Sequence, residues 1–320
     1  MIALDMEQKF HIDGTEEFGY FIFNRCLCSF YVLMNTVKRV CARYNNASVW
    51  DLNGYAAHFC YLRLKSFDTL LKVIREQKDF ISANCILRML GDSVAVFHLI
   101  YMEPDPEWRW LRHALYIIDG CERNMVALPE NDMSEEALPE NEREIFKEQN
   151  RHNRELRERL QYQAQRIVDR SPLQNLDKEA FDKIVTDRNW KFKEFKTYKK
   201  AGANQYKWTE LYERIEMCEG YDVLSFISQY AHGLSMSNLV MGMNERNHNG
   251  IVTEAYALIK RLNAYMMNYY LLDYYDIMNG LLEPDMRDKI LSCYDDEHRP
   301  SIETWNQQIK DLISRKEFLW

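Results

Sequence analysis

Glycine and proline are scarce in this chain of 320 residues, 11 and 7 in all. β-Rich folds spend both on frequent turns, so their scarcity favours long helices with few connections. The eight cysteines, Cys26, Cys28, Cys41, Cys60, Cys85, Cys121, Cys218 and Cys293, form no Cys-x-x-Cys pair. That excludes a zinc ribbon or a thioredoxin motif. Most of them lie in apolar, helix-patterned stretches and read as buried, reduced thiols of a cytoplasmic protein. Glycine-rich phosphate loops, the Rossmann fingerprint and the Gly-x-Ser-x-Gly elbow are missing as well, which argues against most nucleotide-dependent enzymes. The first ten residues carry Asp5 and Glu7 and lack an apolar signal core, so secretion is not expected. Residues 18–34 are the most apolar early stretch, and Asn24 and Arg25 interrupt them. No run reaches the roughly 18 apolar residues of a membrane span, so no membrane association is expected.

Hydrophobic residues make up 47% of the chain, enough for a sizeable core, and charged residues 28%. The net charge of −8 disfavours a surface that embraces nucleic acid as a whole, though local basic patches remain compatible with it.

The hydrophobic period is helical throughout. Thr15, Glu16 and Glu17 start a helix over 16–43, with carboxylates at the positive end of its dipole and Lys38, Arg39 and Arg43 towards the other. A second helix is expected over 52–77. A third, nearly apolar all round, covers 80–102 and should be central. Asp105-Pro106 opens a fourth, carrying Trp108, Leu111, Leu115 and Ile118. Residues 127–142 repeat Ala-Leu-Pro-Glu-Asn at 127–131 and 137–141 among further acids, and read as an exposed acidic linker loop. A long, solvated, charged helix is expected over 143–169, and shorter helices over 178–187 and 208–218. Residues 244–250 read as a polar turn. A tyrosine-rich helix over 253–279 follows, then a last helix from Ser301 to the C-terminus. The fold class is all-α, an irregular bundle of seven to ten helices. Residues 1–126 and 143–320 form its two parts, joined by the 127–142 loop and packed as one domain.

Candidate chemistry centres on residues 221–233. On a helix, Tyr221, Ser225, Ser228 and His232 fall on one stripe beside Val223, Leu224 and Ile227. His232 would then act as an acid or base or bind an anion; equally, the stripe would pin a helix–helix contact, since buried polar groups must be paired. Tyr221, Ser225/Ser228 and His232-Gly233 resemble the Tyr–Ser–His signature of an uncharacterised family of all-helical bacterial proteins, a domain of unknown function. The resemblance covers the third helix and residues 205–240, under a third of the chain. In that family an earlier helix carries an Arg-x-x-x-acid pair. The resemblance implies that this pair is Arg88 and Asp92 here, with Asp92 standing where a longer acid is expected. On physical grounds alone, a guanidinium and a carboxylate one turn apart on an apolar helix need partners, and the 221–232 stripe is the expected one.

No metal and no cofactor are expected. A carboxylate-bridged di-iron bundle needs two Glu-x-x-His motifs, and the chain has one, Glu245 and His248; Asp295 and His298 share the spacing in a charged loop. Residues 143–200 hold sixteen Lys and Arg against ten Asp and Glu. Within them Lys191, Lys193, Lys196, Lys199 and Lys200 alternate with Trp190, Phe192, Phe195 and Tyr198, a chemistry suited to phosphates and stacked bases. The favoured reading is an amphipathic helix with its aromatics inward and its lysines in water. Helical nucleases that place a His five to seven residues after an Arg find no counterpart in Arg246/His248, Arg88/His98, Arg112/His113 or Arg151/His152.

The leading expectation is a cytoplasmic bacterial protein that acts by binding, as a homodimer, through a buried network of Arg88, Asp92, Tyr221, Ser225, Ser228 and His232. The alternative is a nucleic-acid-directed enzyme, a ribonuclease of the toxin or defence type, with His232 and Arg88 catalytic. The residues alone leave the choice between enzyme and binding protein open.

Overall fold

The computed structural model describes residues 16–44, 48–127, 139–198, 202–216, 227 and 246–319. The protein is all-α. Among the described residues there are eleven α-helices and no strand, only an isolated bridge pairing Phe192 with Gln205. They are α1 (Glu16–Arg43), α2 (Leu52–Lys72, continued by a π turn Val73–Gln77), α3 (Phe80–Tyr101), α4 (Pro106–Ala127), α5 (Glu140–Asp169), α6 (Lys178–Thr186), α7 (Trp208–Arg214), α8 (Arg246–Tyr269), α9 (Tyr274–Gly280), α10 (Pro284–Leu291) and α11 (Ile302–Arg315).

Side-chain caps fix several starts. The Asp105 carboxylate accepts from the backbone N–H groups of Glu107 and Trp108 at 2.8 and 3.2 Å. Asp177 receives Ala180 N–H at 3.0 Å, and Ser301 receives Thr304 N–H at 3.1 Å. Each cap satisfies a donor that the first helical turn leaves unpaired.

The chain divides into two compact units. The first draws on Met1–Asn45, Ala56–His98 and Trp208–Trp320. Here α1 packs along α8, with α9 and α10 also against it. Val32, Leu33, Val37 and Val40 are buried, as are Ala255, Leu258, Ile259 and Leu262. Two amides stitch the contact: Asn263 donates to the Ser29 carbonyl and Asn35 to the Ile277 carbonyl, both at 2.8 Å. Gly280 lets α9 come close, because a Cβ there would run into the Asn35 amide and the Arg39 guanidinium.

The second unit draws on Asn46–Tyr55 and Leu99–Lys207, with α4 packed against α5. Residues 128–138 of the expected acidic loop lie outside the described residues. Helix α5 is exposed along residues 147–155 and buried at Ala164, Ile167 and Val168.

Helix α3 is long and apolar enough by length and composition to cross a membrane, but 56% of its most apolar window is buried. A core helix passes the same test.

Five local expectations need correction. Residues 246–250 are not a polar turn but the first residues of α8. The cost of Gly250 in a helix, about 1 kcal/mol, is offset where Ile251, Val252 and Ala255 are buried just beyond it. The tyrosine-rich helix does not run unbroken to 279: it stops at Tyr269, a 3₁₀ turn Leu271–Asp273 intervenes, and α9 restarts. That break delivers Asp273 to Arg43 Nη1 at 2.7 Å and the Ile277 carbonyl to Asn35. Helix α7 ends at Arg214, closed by Glu216 in the left-handed region at φ 54°. Residues 190–198 are not helical. They form a turn stapled by Asn204, whose side chain accepts from the backbone of Lys193 and Glu194 and donates to the Glu194 carbonyl. The last helix stops at Arg315, before the C-terminus, with Lys316 at φ 56°.

Candidate functional site

In the first unit, Arg88 and Asp92 occupy one face of α3, four residues apart. Arg88 Nη2 lies 3.4 Å from Asp92 Oδ1, with side chains 18% and 33% exposed. Tyr212 of α7 completes the group. Its hydroxyl donates to Asp92 Oδ1 at 2.6 Å, and the guanidinium sits 4.9 Å from the centre of its ring. Trp208, one turn earlier, stacks on Tyr212 at 5.9 Å and fixes that ring. Burial first, and the neighbouring carboxylate second, hold the Tyr212 phenol well above its ordinary value. Tyr212 is therefore a neutral hydrogen-bond donor at any physiological pH. The guanidinium keeps one edge in reserve: Arg88 Nη1 is buried and has no hydrogen-bond partner.

A charge-assisted hydrogen bond of this kind contributes about 1.5–3 kcal/mol. The variant Tyr212→Phe is expected to lose that amount in urea denaturation while keeping its helical circular dichroism. A loss below about 0.5 kcal/mol would show that the bond contributes nothing.

In the second unit, α4 turns Arg112 and His113 inwards. Arg112, 2% exposed, pairs with the carboxylate of Glu103, 12% exposed. It also donates to the Leu99 carbonyl at 3.2 Å and the Phe192 carbonyl at 2.8 Å. Its guanidinium lies over the rings of Phe192 and Trp108, at 4.5 and 5.4 Å. His113 is fully buried. Nε2 is 3.2 Å from the Val49 carbonyl and Nδ1 3.4 Å from the Tyr101 hydroxyl. A carbonyl only accepts, so Nε2 carries the proton and Nδ1 accepts from Tyr101. Burial pulls the imidazole down to about 4, so it is neutral and serves as a core group.

The structure thus brings Arg88 and Asp92 together and supplies Tyr212 as their partner. Tyr221, Ser225, Ser228 and His232 lie outside the described residues, as do Lys199, Lys200, Cys218 and Glu245. The remaining lysines of the basic stretch cluster on aromatic rings: Lys191 on Trp190, Lys193 on Tyr206 and Lys196 on Tyr198, at 5.6, 5.5 and 5.0 Å. Lys196 is also ion-paired to Glu194. Trp190 and Phe192 are buried. His298 and Asp295 form a surface hydrogen bond of 2.7 Å. No group of three or more potential metal ligands occurs among the described residues. The seven described cysteines are free thiols.

Tyr212, Arg112, Glu103 and His113 were not among the site residues expected from sequence. Arg112 had a usable signal: it lies between Leu111 and Leu115 on the apolar face of α4, where a guanidinium must find a carboxylate. Compared with protein-family models, curated proteins and solved structures, the chain matches none.

Proposed function

We propose that this chain works by binding, and that the Arg88–Asp92–Tyr212 centre is its recognition element. The observation that carries the reading is the reserved edge of Arg88. A buried charged donor without an acceptor costs more than the roughly 1–3 kcal/mol of a neutral one. A ligand that brings a carboxylate, phosphate or carbonyl oxygen to Nη1 removes that cost. Asp92 and Tyr212 hold the guanidinium flat and half-buried, so its fork is set before the ligand arrives. The same reading keeps the resemblance to the helical bacterial family with the Tyr–Ser–His signature, an irregular bundle with a long solvated charged helix, and a homodimer in the cytoplasm. The free thiols support a reducing compartment.

The test is a titration of inorganic phosphate and of acetate into the whole protein, followed by calorimetry and thermal unfolding. Wild type is expected to bind at least one of the two anions and to gain about 2.7 kcal/mol at a hundredfold excess over Kd. Arg88→Met is expected to lose that gain. Equal gains in both proteins would remove Arg88 from the site.

A further inference from the structure

Six surface cations of the second unit are each paired with an acid. Lys178 pairs with Asp182, Lys183 with Asp187, Arg151 with Glu148, Arg123 with Asp119, Arg188 with Glu122 and Lys196 with Glu194. Three arginines at the C-terminal end of α5 depart from this pattern. Arg159, Arg166 and Arg170 make no ion pair among the described residues. Together with Tyr162 they advance by 3, 4 and 4 residues, and so share one face of the helix.

Two of the three are seated on aromatic rings. Arg166 Nη1 donates to the Tyr162 hydroxyl at 2.9 Å and its guanidinium lies 5.8 Å from that ring. Arg170 lies 5.6 Å from the ring of Trp50. Both rings face solvent: Tyr162 is 61% exposed and Trp50 42%. Glu155 ends the row at one side, and Asp169 beside it is engaged by Gln165 Nε2 at 2.9 Å. Along the last three turns of α5 and its capping residue Arg170, three cations without an ion pair thus lie beside two exposed rings, Tyr162 on the helix and Trp50 from the turn at 49–50.

We infer that this row binds single-stranded nucleic acid. Phosphates supply the charge that the three guanidinium groups lack, and unpaired bases supply faces to stack on Tyr162 and Trp50. A duplex hides its bases and so gives the rings nothing to stack on. An acidic peptide matches the charge and leaves the aromatics unused. This site is separate in its residues from the Arg88 centre and does not depend on it.

The experiment is fluorescence anisotropy of a labelled oligouridylate of twenty nucleotides, titrated with the full chain. Binding is expected to weaken with salt at a log–log slope of about −2, for three contacts at roughly −0.7 each. Tyr162→Ala with Trp50→Ala is expected to weaken it at least about tenfold. Arg159→Gln with Arg166→Gln is expected to flatten the slope by about 1.4, two contacts at roughly 0.7 each. Lys310→Gln should leave both unchanged. Circular dichroism and urea denaturation of each variant establish that the fold is intact. No binding, equal competition by the matching duplex or by polyglutamate, or indifference to the aromatic substitutions in a folded variant would each overturn the inference.

Discussion

Replacing Arg112 with methionine is expected to destabilise the second unit by about 3–5 kcal/mol. The guanidinium is spent on the Glu103 carboxylate, two backbone carbonyls and two aromatic faces, with almost no solvent access. Methionine replaces the volume but none of the charge. Glu103 then keeps a carboxylate in a nearly closed site, and the Leu99 and Phe192 carbonyls lose a donor. Breaking one side of such a pair costs far more than exchanging both sides for apolar groups. The double variant Arg112→Met with Glu103→Met should therefore recover most of the loss. Urea denaturation of the two variants against wild type measures both numbers. A single-variant loss below about 1 kcal/mol would mean that the pair behaves like a surface salt bridge.

The second large effect is a dependence on pH. His113 binds a proton at about 4 in the fold, against 6.5 as its ordinary value. Above the ordinary value both folded and unfolded chains leave it neutral, and the full stability is present. As pH falls below that, the unfolded chain takes up a proton that the fold cannot. Stability then drops by about 1.4 kcal/mol per pH unit, levelling off below the folded value after a total near 3 kcal/mol. Carboxylates elsewhere contribute their own slope at the acid end, so the useful quantity is a difference. Between pH 7 and pH 5 wild type should lose about 2 kcal/mol more than His113→Gln. Parallel curves would mean that the imidazole is protonated in the fold.

Much of this architecture is legible from residue pattern. The first helix and the Asp105 and Ser301 starts follow from spacing and capping chemistry. So does the pairing of Arg88 with Asp92, because polar groups one turn apart on an apolar helix have few other choices. Their third partner is a different matter. Tyr221 and Tyr212 are equally plausible by residue type, and periodicity places residues on a face without saying which face opposes it. Tyr212 also sits in a seven-residue helix beside Trp208, where an aromatic pair reads as core. The break after Tyr269 follows from Asp273 meeting Arg43 and Ile277 meeting Asn35, pairings some 230 residues and more apart in sequence. Likewise, nothing local forbids a helix at 190–198. Phe192 is drawn under the Arg112 guanidinium, and Asn204 ties the resulting turn.

Arg88 and Arg112 thus offer a built-in comparison. Both are arginines on helices, each beside a carboxylate and an aromatic ring. Arg112 has both terminal nitrogens engaged, and Arg88 leaves its terminal Nη1 without an acceptor. Measuring the unfolding free energy of Arg88→Met in urea, beside Arg112→Met, tests the recognition role most directly. A group kept for a ligand should cost little to remove from the free protein, so Arg88→Met is expected within about 1 kcal/mol of wild type, or above it. A loss of about 3–5 kcal/mol, like that expected for Arg112, would make Arg88 a structural clamp and contradict the binding role.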